Sequence, residues 1–262
     1  MILRSLRAVW AYAVLWYGLA LFGLCSLAWS LIAVPLGVLL PERAGRTFGR
    51  GAVALGFRFY LAALRAVGAC RVDIAALDAL QGAGPMILAP NHPSLLDAVM
   101  LLSRLPQASC VLKAPLADSA VFSVGARLAG YIRSEPPIGM VRDSIEELRR
   151  GGQLLLFPEG TRTTHAPVNR FRGAIALIAR QAGVPVQSVF IEADSPFLGK
   201  GWPLTRRPPQ LPLRYRVRLG RRFDAPRDLH AFVRELDQYY AGELARREPS
   251  LQYPAAVESR PA

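Results

Sequence analysis

The chain has 262 residues, 52% hydrophobic and 19% charged, a size for one large domain with an appendage and a composition that excludes disorder and coiled coil. Lys and Arg number 32 against 19 Asp and Glu, a formal charge of +13, so the expected partners are acidic: nucleic acid, anionic lipid, a phosphorylated substrate or an acidic protein. Three cysteines, Cys25, Cys70 and Cys110, without a CxxC pair, argue against a disulfide framework or a zinc ribbon and fit a reducing compartment.

From Ala8 to Pro41 the chain runs 34 residues without a charge, between Arg4 and Arg7 on one side and Glu42, Arg43, Arg46 and Arg50 on the other. At about 1.5 Å per residue a single helix of this length measures about 50 Å, more than the roughly 30 Å of a hydrocarbon core. Pro35 and Gly37 are the natural breakers, so the expectation is a helix from Ala8 to Ala33 followed by a turn or an interfacial piece. Trp10, Tyr12, Trp16 and Tyr17 crowd its first half, as interface-seeking aromatics do. A cleaved signal peptide competes with this reading, but the run is more than twice the usual length of about 7 to 15 residues and no small-x-small cleavage site closes it. Positive charge flanks both ends, so orientation stays open, as does the choice between spanning the bilayer and dipping into one leaflet. Phe57 to Cys70 carries Arg58 and Arg65 on one helical face and reads as an amphipathic helix along the same interface. Residues 1–70 thus form the expected anchor, 71–250 the folded body, and 251–262 a flexible tail.

After Cys70, short apolar runs alternate with helical periodicity, the pattern of an α/β fold with a mixed, largely parallel sheet flanked by helices. Expected strands are Val72 to Ala75, Pro85 to Ala89, Ser109 to Leu112, Gln153 to Phe157, Val184 to Ile191, and a basic strand from Arg214 to Leu219. Expected helices are Ser94 to Leu105, Met140 to Arg150, Gly173 to Ala182 and Arg227 to Arg247. Pro196 to Pro212, rich in Pro, Gly and Arg, is the expected mobile loop. The arginines at 206, 207, 214, 216, 218, 221, 222 and 227 suit anionic headgroups or an acidic carrier protein, and equally a solvated basic face.

Two strand ends carry unusual residues, and open α/β sheets bind ligands at the carboxyl ends of their strands. The first reads NHPSLLD. With Ser94 capping the following helix, Asp97 lies in the first turn and leans back towards His92. A carboxylate on Nδ1 fixes the tautomer and leaves Nε2 as a general base, with no nucleophile beside it, so the hydroxyl to be activated belongs to the substrate. The plain alternative, at even weight, is a capping box beside a loop histidine. The second is FPEGTR, residues 157–162: Gly160 permits a tight turn with exposed N–H groups, Thr161 adds a hydroxyl and Arg162 a fork of donors, together suited to phosphate or an oxyanion. Alone, this stretch reads more readily as an ordinary β-turn with a surface arginine. His165 and His230 lack metal-ligand spacing, and Cys110 reads as a small core residue.

Taken together at this separation, NHPSLLD and FPEGTR resemble the hallmarks of the glycerolipid acyltransferase family, the 1-acylglycerol-3-phosphate and related lysophospholipid acyltransferases. The resemblance runs from about Met86 to Ile191. His92 and Asp97 match the His-x4-Asp signature and Phe157 to Arg162 match the second hallmark letter for letter. In order between and after them, Lys113 in VLKAPL, Arg133 in GYIR, Phe171-Arg172-Gly173 and Val184-Pro185-Val186 resemble weaker family blocks. The resemblance implies a membrane O-acyltransferase in which His92 is the general base and Asp97 its orienter. Glu159, Gly160, Thr161 and Arg162 would hold the phosphorylated acceptor, with Lys113 and Arg133 as further substrate contacts. It also implies acyl-CoA or acyl-carrier protein as co-substrate, a lysophospholipid acceptor in a membrane, direct transfer without an acyl-enzyme, and neither metal nor bound cofactor. The implied location is the cell's inner membrane with the catalytic part facing the cytoplasm. The same chemistry on an aminolipid, glycolipid or polyketide-like acceptor is the main alternative. A basic membrane-tethered binder of nucleic acid lacks aromatic-basic interleaving and a recognition helix, and a hydrolase lacks a G-x-S-x-G elbow or metal cluster.

Overall fold

The computed structural model describes residues 2–119, 122–203 and 208–246. Arg206, Arg207, Arg247 and the expected tail at 251–262 lie outside these residues. The chain begins with two long helices, α1 (Ile2–Leu39) and α2 (Glu42–Ala66), and continues with strand β1 (Cys70–Asp73), a 3-10 turn (Ala75–Leu80) and β2 (Met86–Pro90). Then come α3 (Leu96–Arg104), β3 (Ala108–Leu112), the short α4 (Ala114–Ala117) and α5 (Ser123–Leu128), β4 (Ile132–Arg133) and α6 (Pro137–Arg149). The chain closes with β5 (Gln153–Leu155), α7 (Ala174–Ala182), β6 (Val186–Ala193), β7 (Leu213–Phe223) and α8 (Leu229–Ala245).

Among the described residues the strands form one seven-stranded sheet in the order β1-β7-β6-β2-β5-β3-β4, parallel throughout except where β7 meets β6. Alternation along each strand divides the apolar side chains between two layers. Met86 and Leu88 face a core built with α1, α2 and α3; Ile87 and Ala89 face a second one built with α6, α7 and α8. The central strands are buried on both faces, and for a side chain such as Leu154, fully buried, removal from water contributes about 1.5–3 kcal/mol.

Several expectations are corrected. Pro35 does not break the first helix: α1 runs unbroken to Leu39, with Pro35 inside it. The proline lacks one N–H donor, yet only a turn of helix follows, closed by the Leu40 N–H on the Leu36 carbonyl, and Pro41 then ends the run at the start of α2. The second helix starts at Glu42 rather than Phe57. Its glycines lower helix propensity, but Gly49 is required by packing: a Cβ there would lie 2.7 Å from the Ala129 backbone nitrogen. Arg58 is turned towards the body, donating to the Ser103 carbonyl at 2.7 Å, while Phe48, Leu55 and Phe59 point outward. Arg214, Arg216, Arg218 and Arg221 all stand beside carboxylates, of Asp194, Asp73, Glu192 with Glu243, and Glu235 respectively, so this face is largely charge-paired.

Candidate active site

Because β2 and β5 are neighbours in parallel register, the turns that leave their carboxyl ends stand side by side, and these turns are NHPSLLD and FPEGTR. Thr163 N–H on the His92 carbonyl, at 2.7 Å, ties one to the other.

His92 and Asp97 meet. Nδ1 of the ring lies 2.8 Å from Asp97 Oδ2, and the same oxygen accepts the Ser94 N–H at 2.7 Å, the return half of a capping box. The ring stacks on Phe157 with centroids 3.9 Å apart, so its plane is held from the side as well. Nε2 makes no hydrogen bond to a described residue. Asp97 is fully buried, and burial pushes its carboxyl above the ordinary carboxylate range, opposed by the bonds from His92 and Ser94 and by the charge of Arg162. Its second oxygen, Oδ1, is buried without a partner among the described residues. Ser94, also fully buried, gives its hydroxyl to the Phe197 carbonyl and accepts from the Leu96 N–H, which leaves it no role as a nucleophile. Burial raises the Cys110 thiol to about 12.

Glu159 faces inward. Oε1 accepts from the His92 N–H and the Thr163 hydroxyl, each at 2.8 Å, and Oε2 accepts the Asn169 N–H at 3.0 Å, so this carboxylate is a bracket holding both turns in place. Burial raises its pKa, and those three hydrogen bonds oppose the shift. Gly160, at φ 65°, takes the left-handed conformation its turn needs, and a Cβ there would strike the Arg172 guanidinium at 2.4 Å. Thr161 Oγ1 lies 3.4 Å from Lys113 Nζ, which β3 delivers from the neighbouring strand end. Partial burial and the charges of Lys200, Arg162 and Arg172 hold the Lys113 ammonium below its usual value. Four cations therefore gather around the FPEGTR turn, Arg162 among them close enough for its charge to act on Asp97. Arg133 is committed elsewhere: its guanidinium chelates Asp118 at 3.0 and 2.7 Å and bonds the Glu135 carbonyl.

Sequence patterns did not expose the Phe157 stack, the Arg172 and Lys200 contributions, or Asn91, whose amide clips both backbone groups of Ile191 at 3.0 and 2.7 Å to hold the end of β2 against β6. Asn91 and Phe157 open the two motifs, which is the one signal that could have found them. A narrow apolar cleft, partly open to solvent, lies between α1, α2 and the segment after β6, lined among others by Gly18, Leu64, Leu96, Phe197 and Leu198.

A family model described as Acyltransferase matches residues 71–192. The chain is 32% identical over 127 residues to a lyso-ornithine lipid O-acyltransferase of Pseudomonas aeruginosa, covering 44% of this chain and 49% of that protein, so it spans about half the length of that relative. It is 28% identical over 184 residues to a 1-acyl-sn-glycerol-3-phosphate acyltransferase of the same organism, covering 68% of this chain and 70% of the relative. The crystal structure of the 1-acyl-sn-glycerophosphate (LPA) acyltransferase, PlsC, from Thermotoga maritima has the same fold, with a TM-score of 0.64 at 18% identity over 94% of this chain and 99% of that one. With its paired motifs on adjoining strand ends of this fold, the chain is similar to the acyltransferases of the 1-acyl-sn-glycerol-3-phosphate type, and its residues 71–192 match the Acyltransferase family model.

Proposed function

We propose that the protein transfers a fatty acyl group from acyl-CoA or acyl-carrier protein to the free hydroxyl of a lysophospholipid such as 1-acyl-sn-glycerol-3-phosphate. The observation that carries this is the oriented His92–Asp97 pair tied directly to the FPEGTR turn, through Thr163 on the His92 carbonyl and His92 N–H on Glu159, with Lys113 beside Thr161 and Arg162 on the same turn. A phosphate held by those cations brings its own glycerol hydroxyl next to Nε2. His92 takes the hydroxyl proton as the oxygen attacks the thioester carbonyl. The tetrahedral intermediate collapses by breaking the C–S bond, and the imidazolium returns its proton to the departing thiolate. Asp97 holds the ring and balances its transient charge. Direct attack is favoured because the hydroxyls of Ser94 and Thr163, nearby on the two turns, are already bonded, to the Phe197 carbonyl and to Glu159. The apolar cleft receives the acyl chain of the donor.

Lys113, Arg162 and Thr161 are the substrate contacts in this reading, Gly160 shapes the turn, and Glu159 positions. Arg133 joins them only by leaving Asp118. The outward apolar faces of α1 and α2 bring the site to a membrane surface, at the inner membrane with the catalytic body in the cytoplasm.

A second reading keeps the chemistry and changes the acceptor to an aminolipid, favoured by the 32% identity to the lyso-ornithine lipid enzyme. Purified protein given labelled acyl-CoA or acyl-carrier protein and a panel of lysolipids decides. Esterification of lysophosphatidic acid, lost on His92→Ala, is expected. Esterification of lyso-ornithine lipid alone overturns the phosphate reading, and a wild-type rate retained in His92→Ala overturns the mechanism, since a lost general base costs about 10²- to 10⁴-fold.

A further inference from the structure

One arm of the Arg162 guanidinium is already occupied. Its Nη1 donates to the carbonyls of Leu198 and Gly199, both at 2.7 Å, in the segment that follows β6. That segment is pinned at further points by the start of α3: the Ser94 hydroxyl holds the Phe197 carbonyl at 3.1 Å and the Leu95 N–H holds the Leu198 carbonyl at 3.2 Å. Leu198 stands at φ 59°, the one non-glycine residue at positive φ among the described residues. A leucine is held in that conformation only when its surroundings over-determine it. The strained turn brings two carbonyls to the guanidinium and seats Phe197 and Leu198 in the wall of the apolar cleft.

The geometry points to Arg162 as the latch of that wall: a positioning residue that, besides meeting the acceptor, fixes the shape of the acyl cleft and so selects acyl-chain length. A guanidinium suits both tasks, because its planar fork carries five N–H donors and the loop takes only those of Nη1. The latch itself stands on the geometry, while its effect on chain length rests on the acyltransferase reading above.

Two variants and two measurements test it. Arg162→Ala removes the donor. Gly199→Ala leaves Arg162 intact but places a Cβ 2.8 Å from the Pro196 carbonyl oxygen, so the turn must move. Amide hydrogen exchange across residues 195–202 needs no activity, and both variants should exchange there about tenfold faster or more. Against saturated acyl-CoA donors of increasing length, both should shift the ratio of kcat/KM between long and short chains by about tenfold, the scale of a methylene misfit in an apolar pocket. The acceptor KM should rise in Arg162→Ala alone. Unchanged exchange in Arg162→Ala overturns the latch, and faster exchange with an unchanged chain-length profile in both variants overturns its part in selectivity. A wild-type protein that esterifies nothing sinks the acyltransferase reading and its chain-length corollary, and the exchange measurement then decides the latch alone.

Discussion

Asp97 gives a sharper test of the proposed catalytic pair than His92, because the contribution to activity expected of it and its contribution to stability have opposite signs. The carboxylate is fully buried with one oxygen unpartnered, an arrangement that costs stability when the group is ionised. In Asp97→Asn the side-chain volume is kept and the amide oxygen can still accept from Nδ1–H and the Ser94 N–H, but the negative charge that balances the imidazolium is gone. The expected outcome is a loss of about 10²- to 10⁴-fold in kcat with little or no fall in Tm. The pH dependence follows from the raised carboxyl. Between its ordinary value of 3.8 and its elevated native value, the folded protein binds more protons than the unfolded chain. By linkage, stability is greatest at the acid end of that window and falls as pH rises through the native pKa. The variant lacks this contribution, so its Tm against pH from about 4 to 8 should be flatter than that of the wild type. Parallel curves would contradict the assignment. Glu159, also raised by burial, contributes the same sign in both proteins and cancels in the comparison.

At the scale of elements, the joint between α2 and the body depends on a buried ion pair. Arg50 donates to Glu147 Oε1 at 2.7 Å and to the carbonyls of Ala129 and Gln107, and the two side chains are 8% and 7% exposed. Removing one partner leaves the other charge buried alone, so Glu147→Ala should lower the unfolding free energy by about 3–5 kcal/mol. The pair Arg50→Met with Glu147→Leu should cost much less, since two apolar side chains leave no uncompensated charge. Denaturant titrations of the three proteins in the same detergent check this, and equal losses in single and double variants would refute it. This joint also marks what the sequence hides. The strand and helix alternation after Cys70, and the meeting of His92 with Asp97, are written in local periodicity and in a five-residue spacing, so they were readable. Gly49, Arg50 and Glu147 act across 80 positions (Gly49 to Ala129) and 97 positions (Arg50 to Glu147), and their residue types describe only a poor helix former, a flanking charge and a surface acid until the fold joins them. The turn at Leu198 escaped for the same reason: nothing local asks a leucine for a positive φ. The two-residue β4 and the short α4 and α5 are too brief to show a period.

Over the whole molecule, α1 decides how the enzyme would meet a membrane. Its inward contacts run from Ala11 through Val14, Leu15 and Gly18 to Phe22, Trp29 and Ala33, a helical face roughly 33 Å long at about 1.5 Å per residue, seated on α2 and α5. Trp10, Trp16, Leu24, Leu27, Leu31 and Val38 cover the opposite face and are exposed. α1 rests on its own body along one face over the length of a hydrocarbon core, while by length and hydropathy Ser5–Leu39 qualifies as a span and most of its apolar surface faces away from the protein. An in-plane helix with its apolar face sunk into one leaflet satisfies both observations. Both ends of α1 must then lie on the same side of the bilayer. Single-cysteine variants Ser5→Cys and Arg43→Cys, in a background with the three native cysteines replaced and with the protein bound to sealed vesicles from outside, should both react with a membrane-impermeant maleimide. If α1 crosses instead, one of the two positions is shielded in the lumen until detergent opens the vesicle, and the in-plane arrangement is wrong.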